Sequence, residues 1–109
     1  MIWFRGGGRK RGKAEWFAES ETIAAFYGVV EAIHIGDEWN LLDLTEHGVD
    51  VPEEGLPVDA RTSSGEMYEW AEKSWKELRG MGYDGVVVRQ WHADYSDEPY
   101  TALLFWGGV

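Results

Sequence analysis

Trp16-Phe17-Ala18-Glu19-Ser20-Glu21-Thr22-Ile23-Ala24-Ala25-Phe26-Tyr27-Gly28 is the stretch on which the fold turns. It begins with an aromatic pair too short for a helix, passes through a polar knot, and continues as a brief helical run. Ser20 stands where its hydroxyl oxygen can accept from the orphan amides of a first helical turn. Glu19 and Glu21 flank it, where the positive end of the helix dipole favours acids. Ile23, Ala24 and Tyr27 then share one helical face, and Gly28 is a natural stop. The stretch predicts a strand, a tight turn, a short helix and a glycine exit.

The flanks extend this pattern. Upstream, Ile2-Trp3-Phe4-Arg5 is apolar and β-rich, as a short strand requires. Between the two lies Gly6-Gly7-Gly8-Arg9-Lys10-Arg11-Gly12-Lys13, a loop without core-forming side chains. Its accessible amides and charges suit either a solvated loop or an anion contact, and it lacks the GxxxxGK[ST] spacing of a P-loop. Downstream, Val29 to Ile35 reads as a strand, Gly36-Asp37 as a turn, and Trp39 to Leu44 as a further extended segment. Residues 45–60 carry Gly48, Pro52, Gly55 and Pro57 among acids and read as a surface excursion.

A long helix follows. Ser63 or Ser64 can cap it, and Ser63 with Glu66 fits a capping box. Met67, Trp70, Ala71, Ser74, Trp75 and Leu78 form a continuous stripe of the kind that faces a core. Glu69 with Lys73, and Glu72 with Lys76, are i,i+4 pairs in the favourable order. Gly80 and Gly82 end it. Tyr83-Asp84-Gly85 then turns into Val86-Val87-Val88-Arg89, a β-branched run suited to burial on both faces. Trp91 to Pro99 is a polar loop, and Tyr100 to Trp106 closes the chain as a strand. The order β, β-α, β, β, α, β, β describes one mixed α+β domain over residues 1–109.

Charge is unevenly spread over the 109 residues. Residues 1–13 hold five cations and no acid, which leaves −15 for the rest against a net −10. A general nucleic-acid footprint is broadly basic, so nucleic acid is not expected as a direct ligand. A small basic segment on an acidic body suits an anionic ligand for the segment or a basic partner for the body. Seven Trp and five Tyr are the fillers of a small core. The chain has no cysteine, which excludes disulfides, thiolate metal sites and cysteine nucleophiles. No apolar run approaches the roughly 20 residues of a membrane span, and positive charge follows the Met1-Ile2-Trp3-Phe4 start instead of preceding it. A cytoplasmic protein is expected.

Few constellations carry chemistry. Ser96, His92 and Asp97 compose a triad only on paper, without a nucleophile elbow. His34, His47 and His92 show none of the paired spacings that metal sites use. Asp94, Asp97 and Glu98 cluster in the last loop, immediately before the final strand. They read either as a solvated acidic loop or as acids projecting from a sheet end.

Three pieces, in order, resemble the ADP-ribosyltransferase fold, especially its small phage- and mobile-element-associated branch. Trp3-Phe4-Arg5-Gly6 is similar to the opening strand that ends in His-Gly or Arg-Gly. Trp16 to Ser20 with Ala25-Phe26-Tyr27-Gly28 resembles the second motif, an aromatic-Phe-Ala/Ser-x-Ser/Asp strand and a helix with small residues before a Tyr. Leu78 to Arg89, with Gly82-Tyr83-Asp84-Gly85 leading into the valine run, resembles a strand opening common in that branch. The resemblance implies two small packed sheets forming a split cleft, with two helices, and NAD bound in the cleft as a substrate without a metal. It assigns Arg5 to the adenosine ribose or a phosphate, Gly6 to the nicotinamide amide, Trp16 to the nicotinamide ring and Tyr27 to the same pocket. Phe17 and Ser20 join the cofactor-binding set as members of the second motif. Glu98, with Asp97 second, matches the catalytic acid. The implied activity is mono-ADP-ribosyl transfer to a macromolecule, with a protein as the expected target, as a phage or mobile-element effector would perform it. The acidic body supports a second reading, a non-catalytic inhibitor that mimics a polyanion and occupies a basic partner surface.

Overall fold

The computed structural model describes residues 1–8, 12–45, 64–90 and 100–107. Its elements are β1 (Ile2–Gly6), β2 (Glu15–Ala18), α1 (Glu21–Ala25), β3 (Val30–His34), β4 (Leu41–Asp43), α2 (Ser64–Gly80), β5 (Gly85–Gln90) and β6 (Tyr100–Phe105). This is the α+β order that the sequence predicts. The strands form one six-stranded sheet in the order β3-β1-β2-β6-β5-β4. The expectation of two packed sheets is therefore corrected to a single sheet, because β2 pairs with β6 on one side and still meets β1 on the other. All pairings are antiparallel except β4 with β5, the parallel pair that α2 connects.

Both helices end as their sequences dictate. Ser20, in extended conformation, accepts from the Ile23 amide at 3.3 Å and caps α1. At the C-terminal end of α2, Gly82 adopts φ +99°, a conformation that costs glycine little. Its amide donates to the Arg79 carbonyl at 3.0 Å, and the Tyr83 amide donates to the Leu78 carbonyl at 3.1 Å. These are the two bonds of a Schellman cap, and Tyr83 and Leu78 join the same apolar cluster, as that cap favours.

Strand alternation sorts the core into two faces. On one, Leu42, Val86, Val88, Ala102 and Leu104 meet the α2 stripe through Ala71 and Leu78, with Trp70 and Trp75 partly buried beside them. Ala18 lies on the same face, against Ile23 and Ala24 of α1 with Phe4, Val30 and Tyr100 around them. The two helices thus cover different ends of one sheet face. On the other face Trp3, Phe17, Val87, Leu103 and Phe105 gather under Ile35 and Trp39 of the β3–β4 connection. Phe105 is met edge-on by Trp39 at 5.3 Å and by Phe17 at 6.2 Å.

The sheet has a seam. β1 runs in register with β3 from Ile2↔His34 to Gly6↔Val30, and β2 with β6 from Glu15↔Phe105 to Ala18↔Ala102. Between β1 and β2 the register is the single pair Phe4↔Ala18. Beyond it the strands part, and the Arg5 side chain spans the gap: Nη1 donates to the Trp16 carbonyl of β2 at 2.8 Å, while Nε donates to the Gly8 carbonyl of the following connection at 2.6 Å. At Trp16 the guanidinium supplies a donor that a paired strand would otherwise provide.

Candidate functional site

A pocket of about 320 Å³ opens beside this seam on the helix-covered face. Phe4, Ala18 and Ala102 belong to its apolar lining, Ile23, Ala24 and Tyr27 come from α1 and its exit, and Arg5, Gly6, Gly7, Trp16, Phe17 and Tyr100 complete it. Its volume is at the lower end of small-molecule sites, which run from about 300 to 1,000 Å³.

Glycine brings α1 this close to β1. A Cβ on Gly6 would fall 1.9 Å from the Ala24 carbonyl oxygen, so no other residue lets the end of α1 rest on the strand. Gly28, at φ +132°, crosses Gly7 less closely but still tightly: a Cβ there would stand 3.1 Å from the Gly7 backbone. The Gly7 amide donates to the Val29 carbonyl at 3.2 Å and fastens the crossing. The glycines of the opening loop thus shape one end of the pocket.

Arg5 is held by more than carbonyls. Its Nε lies 3.8 Å from Glu15 Oε1, and the two side chains are only 11% and 3% exposed. A buried carboxylate in β2 therefore has its counter-charge across the seam, as burial of a charge requires. Trp16 is anchored on its far side, where the indole Nε1 donates to Glu72 of α2 at 3.0 Å. Tyr27 is 58% exposed, at the pocket's open side.

Five of the six residues expected to bind a cofactor therefore line one pocket: Arg5, Gly6, Trp16, Phe17 and Tyr27. Three of the six also have structural partners. Ser20 is the α1 cap and is not part of the lining, so its oxygen serves the helix. Arg5 spends Nε and Nη1 on the protein's own carbonyls, and its first role is to close the seam. Phe17 belongs chiefly to the core on the opposite face, where it is 2% exposed. Glu98 and Asp97, expected as the catalytic acids, lie outside the described residues, as do Asp94 and the rest of that loop. Tyr100, which does line the pocket, follows Glu98 by two positions in the chain.

Sequence reasoning missed Glu15 and the apolar lining. An acid opening a strand just before Trp-Phe is a signal that could have marked Glu15, since an acid at a buried strand position needs a cation. Phe4, Ala18, Ile23 and Ala102 gave no such signal, because small and apolar residues there read equally as core.

Among the described residues no group of three or more histidines and acids is arranged to hold a metal ion, and no helix is long and apolar enough to cross a membrane. In comparisons with known proteins, no family model, curated protein or solved structure matches the chain.

Proposed function

We propose that the seam pocket binds NAD and that the protein is an ADP-ribosyltransferase-like enzyme acting on a macromolecular acceptor, a protein. The observation that carries this reading is the convergence of Arg5 and Gly6 of β1, Trp16 and Phe17 of β2, and Tyr27 of the α1–β3 connection on one pocket. An apolar lining with aromatic walls suits a planar pyridinium ring, and the open side at Tyr27 leaves room for the rest of a dinucleotide. In the reaction the bond between nicotinamide and ribose breaks, and the pair of electrons leaves with neutral nicotinamide. The anomeric carbon passes through an oxocarbenium-like state, and an acceptor nucleophile bonds to it and gives up its proton to a base. A carboxylate facing that carbon supplies the electrostatic stabilisation; Glu98, with Asp97 second, is the residue proposed for it.

Thermal unfolding with millimolar NAD and mass spectrometry of an incubated acceptor mixture test the reading. The expected results are a raised melting temperature and added ADP-ribose, with transfer lost and folding kept in Glu98→Gln. Absence of any NAD-linked stabilisation would overturn it.

The reading as an acidic inhibitor draws on exposed acids across the surface, among them Glu19, Glu21, Glu31, Glu38, Asp43, Glu69 and Glu77. Inhibition of a partner that survives combined substitution of Arg5, Trp16 and Glu98 would favour it over catalysis.

A further inference from the structure

A second concavity lies on the far side of Trp16 from the seam pocket. Gly12, Lys13 and Ala14, leading into β2, form one bank, and Glu72, Trp75, Lys76 and Arg79 of α2 form the other, with Leu104 between them. It is an open furrow of about 620 Å³. The fold has done here what the linear sequence does not show: it has set the cation of the basic opening segment beside two cations from the late helix. The chain has ten Lys and Arg in all. Three of them line this furrow: Lys13, Lys76 and Arg79. On a protein of net charge −10 such segregation is a local exception to the overall sign.

We infer that this furrow docks the phosphate backbone of a single-stranded nucleic acid. Cations on two banks of one furrow match a polyanion with one charge per residue better than the scattered carboxylates of a protein surface. An open furrow admits a strand lengthwise, as electrostatic single-strand channels do. The net charge of the body does not forbid this, because charges beyond a Debye length of about 8 Å are largely screened at physiological salt. Within the furrow the opposing charge is Glu72, which accepts the Trp16 indole N–H. The furrow reads charge and not base identity. The Trp75 ring that could otherwise stack a base carries the Arg79 guanidinium at 5.3 Å and the Lys76 ammonium at 5.8 Å from its centroid, and packs against Trp106 at 5.9 Å. These residues are not the ones proposed to bind NAD, so the inference stands or falls independently of that reading.

The test is fluorescence anisotropy of a labelled oligodeoxythymidine of about 12 nucleotides, within the span of single-strand sites, titrated with the full chain between about 50 and 200 mM salt. Three phosphate contacts at about −0.7 each predict a slope of log K against log salt near −2. Lys13→Ala, Lys76→Ala and Arg79→Ala combined are expected to weaken binding more than tenfold and to flatten the slope, while Lys73→Ala, on α2 but outside the furrow lining, leaves both unchanged. An oligodeoxyadenosine of equal length is expected to bind within a factor of three. Circular dichroism melts establish that the variants are folded, and the NAD-linked melting shift is measured on the same samples. Three results overturn the inference: no saturable binding at the lowest salt, binding undiminished in the folded triple variant, or tighter binding of a poly-glutamate peptide than of the oligonucleotide at equal charge concentration, which would assign the furrow to acidic protein segments.

Discussion

Arg5 shows how one side chain can serve architecture and pocket together. Its guanidinium closes the gap where β1 and β2 part, and it neutralises Glu15 across that gap. Arg5→Ala leaves Glu15 buried without this cation and the Trp16 carbonyl without this donor. Breaking a buried pair by removing one partner costs about 3–5 kcal/mol, and urea unfolding is expected to show a loss near the lower figure. Arg5→Lys should recover little, since one ammonium cannot reproduce two directed N–H bonds. A loss under about 0.5 kcal/mol, the scale of an ordinary surface substitution, would show that the clamp is not structural. Gly6→Ala is expected to be damaging for a different reason. The methyl group would overlap the Ala24 carbonyl, so α1 must lift from β1, and overpacking of this kind costs about 1–3 kcal/mol. The motif Arg5-Gly6 was legible in the sequence as important. Its physical content was not, because the partners Glu15, Trp16 and Ala24 are set by how the strands diverge, which no local pattern encodes.

The elements themselves were easier to read, since their determinants are local. The Val86-Val87-Val88 run, the α2 stripe through Ala71 and Leu78, and the glycine stops at Gly28 and Gly82 each act within a few residues of where they stand. Pairing was harder. That β2 takes both β1 and β6 as neighbours, making one sheet, depends on contacts between distant parts of the chain. Ser20 divides the two kinds of legibility: its role as a cap follows from position alone, whereas its assignment to a cofactor came from the motif. The geometry favours the cap, which gives a discriminating prediction. Ser20→Ala should lower stability by about 1 kcal/mol, the usual worth of an N-cap oxygen, and Ser20→Asp should restore it by supplying another acceptor at the helix N-terminus. The measurement is chemical unfolding paired with the NAD-linked melting shift. If Ser20→Asp restores stability but abolishes the NAD shift, the oxygen serves a ligand after all.

At the scale of the molecule the seam divides the sheet unequally. β1 and β3 with α1 form the smaller part, and β2, β6, β5 and β4 with α2 the larger; α2 packs on β5, at the centre of the larger part. The parts are joined by the Phe4↔Ala18 pairing, the Arg5 bridge, the contact of α1 with β2, and Trp3 packed in one cluster with Phe17. Local opening follows the weakest set of such joints, and hydrogen exchange reads it amide by amide. The slowest amides are expected in β5 and β6, whose register runs unbroken from Gly85↔Phe105 to Gln90↔Tyr100. Those of β1 and β3 should exchange through a smaller opening at lower free energy, and Arg5→Ala should widen the difference. The pocket adds a stronger form of the same test, because its lining comes from both parts: Phe4, Arg5, Gly6 and Tyr27 from one, Trp16, Ala18 and Ala102 from the other. A ligand that needs both walls binds only the closed arrangement and stabilises it by mass action. Saturating NAD should therefore slow exchange in β1 and β3 more than in β5. Uniform protection of all strands without ligand would refute the division at the seam; equal slowing everywhere with NAD would place the ligand away from it.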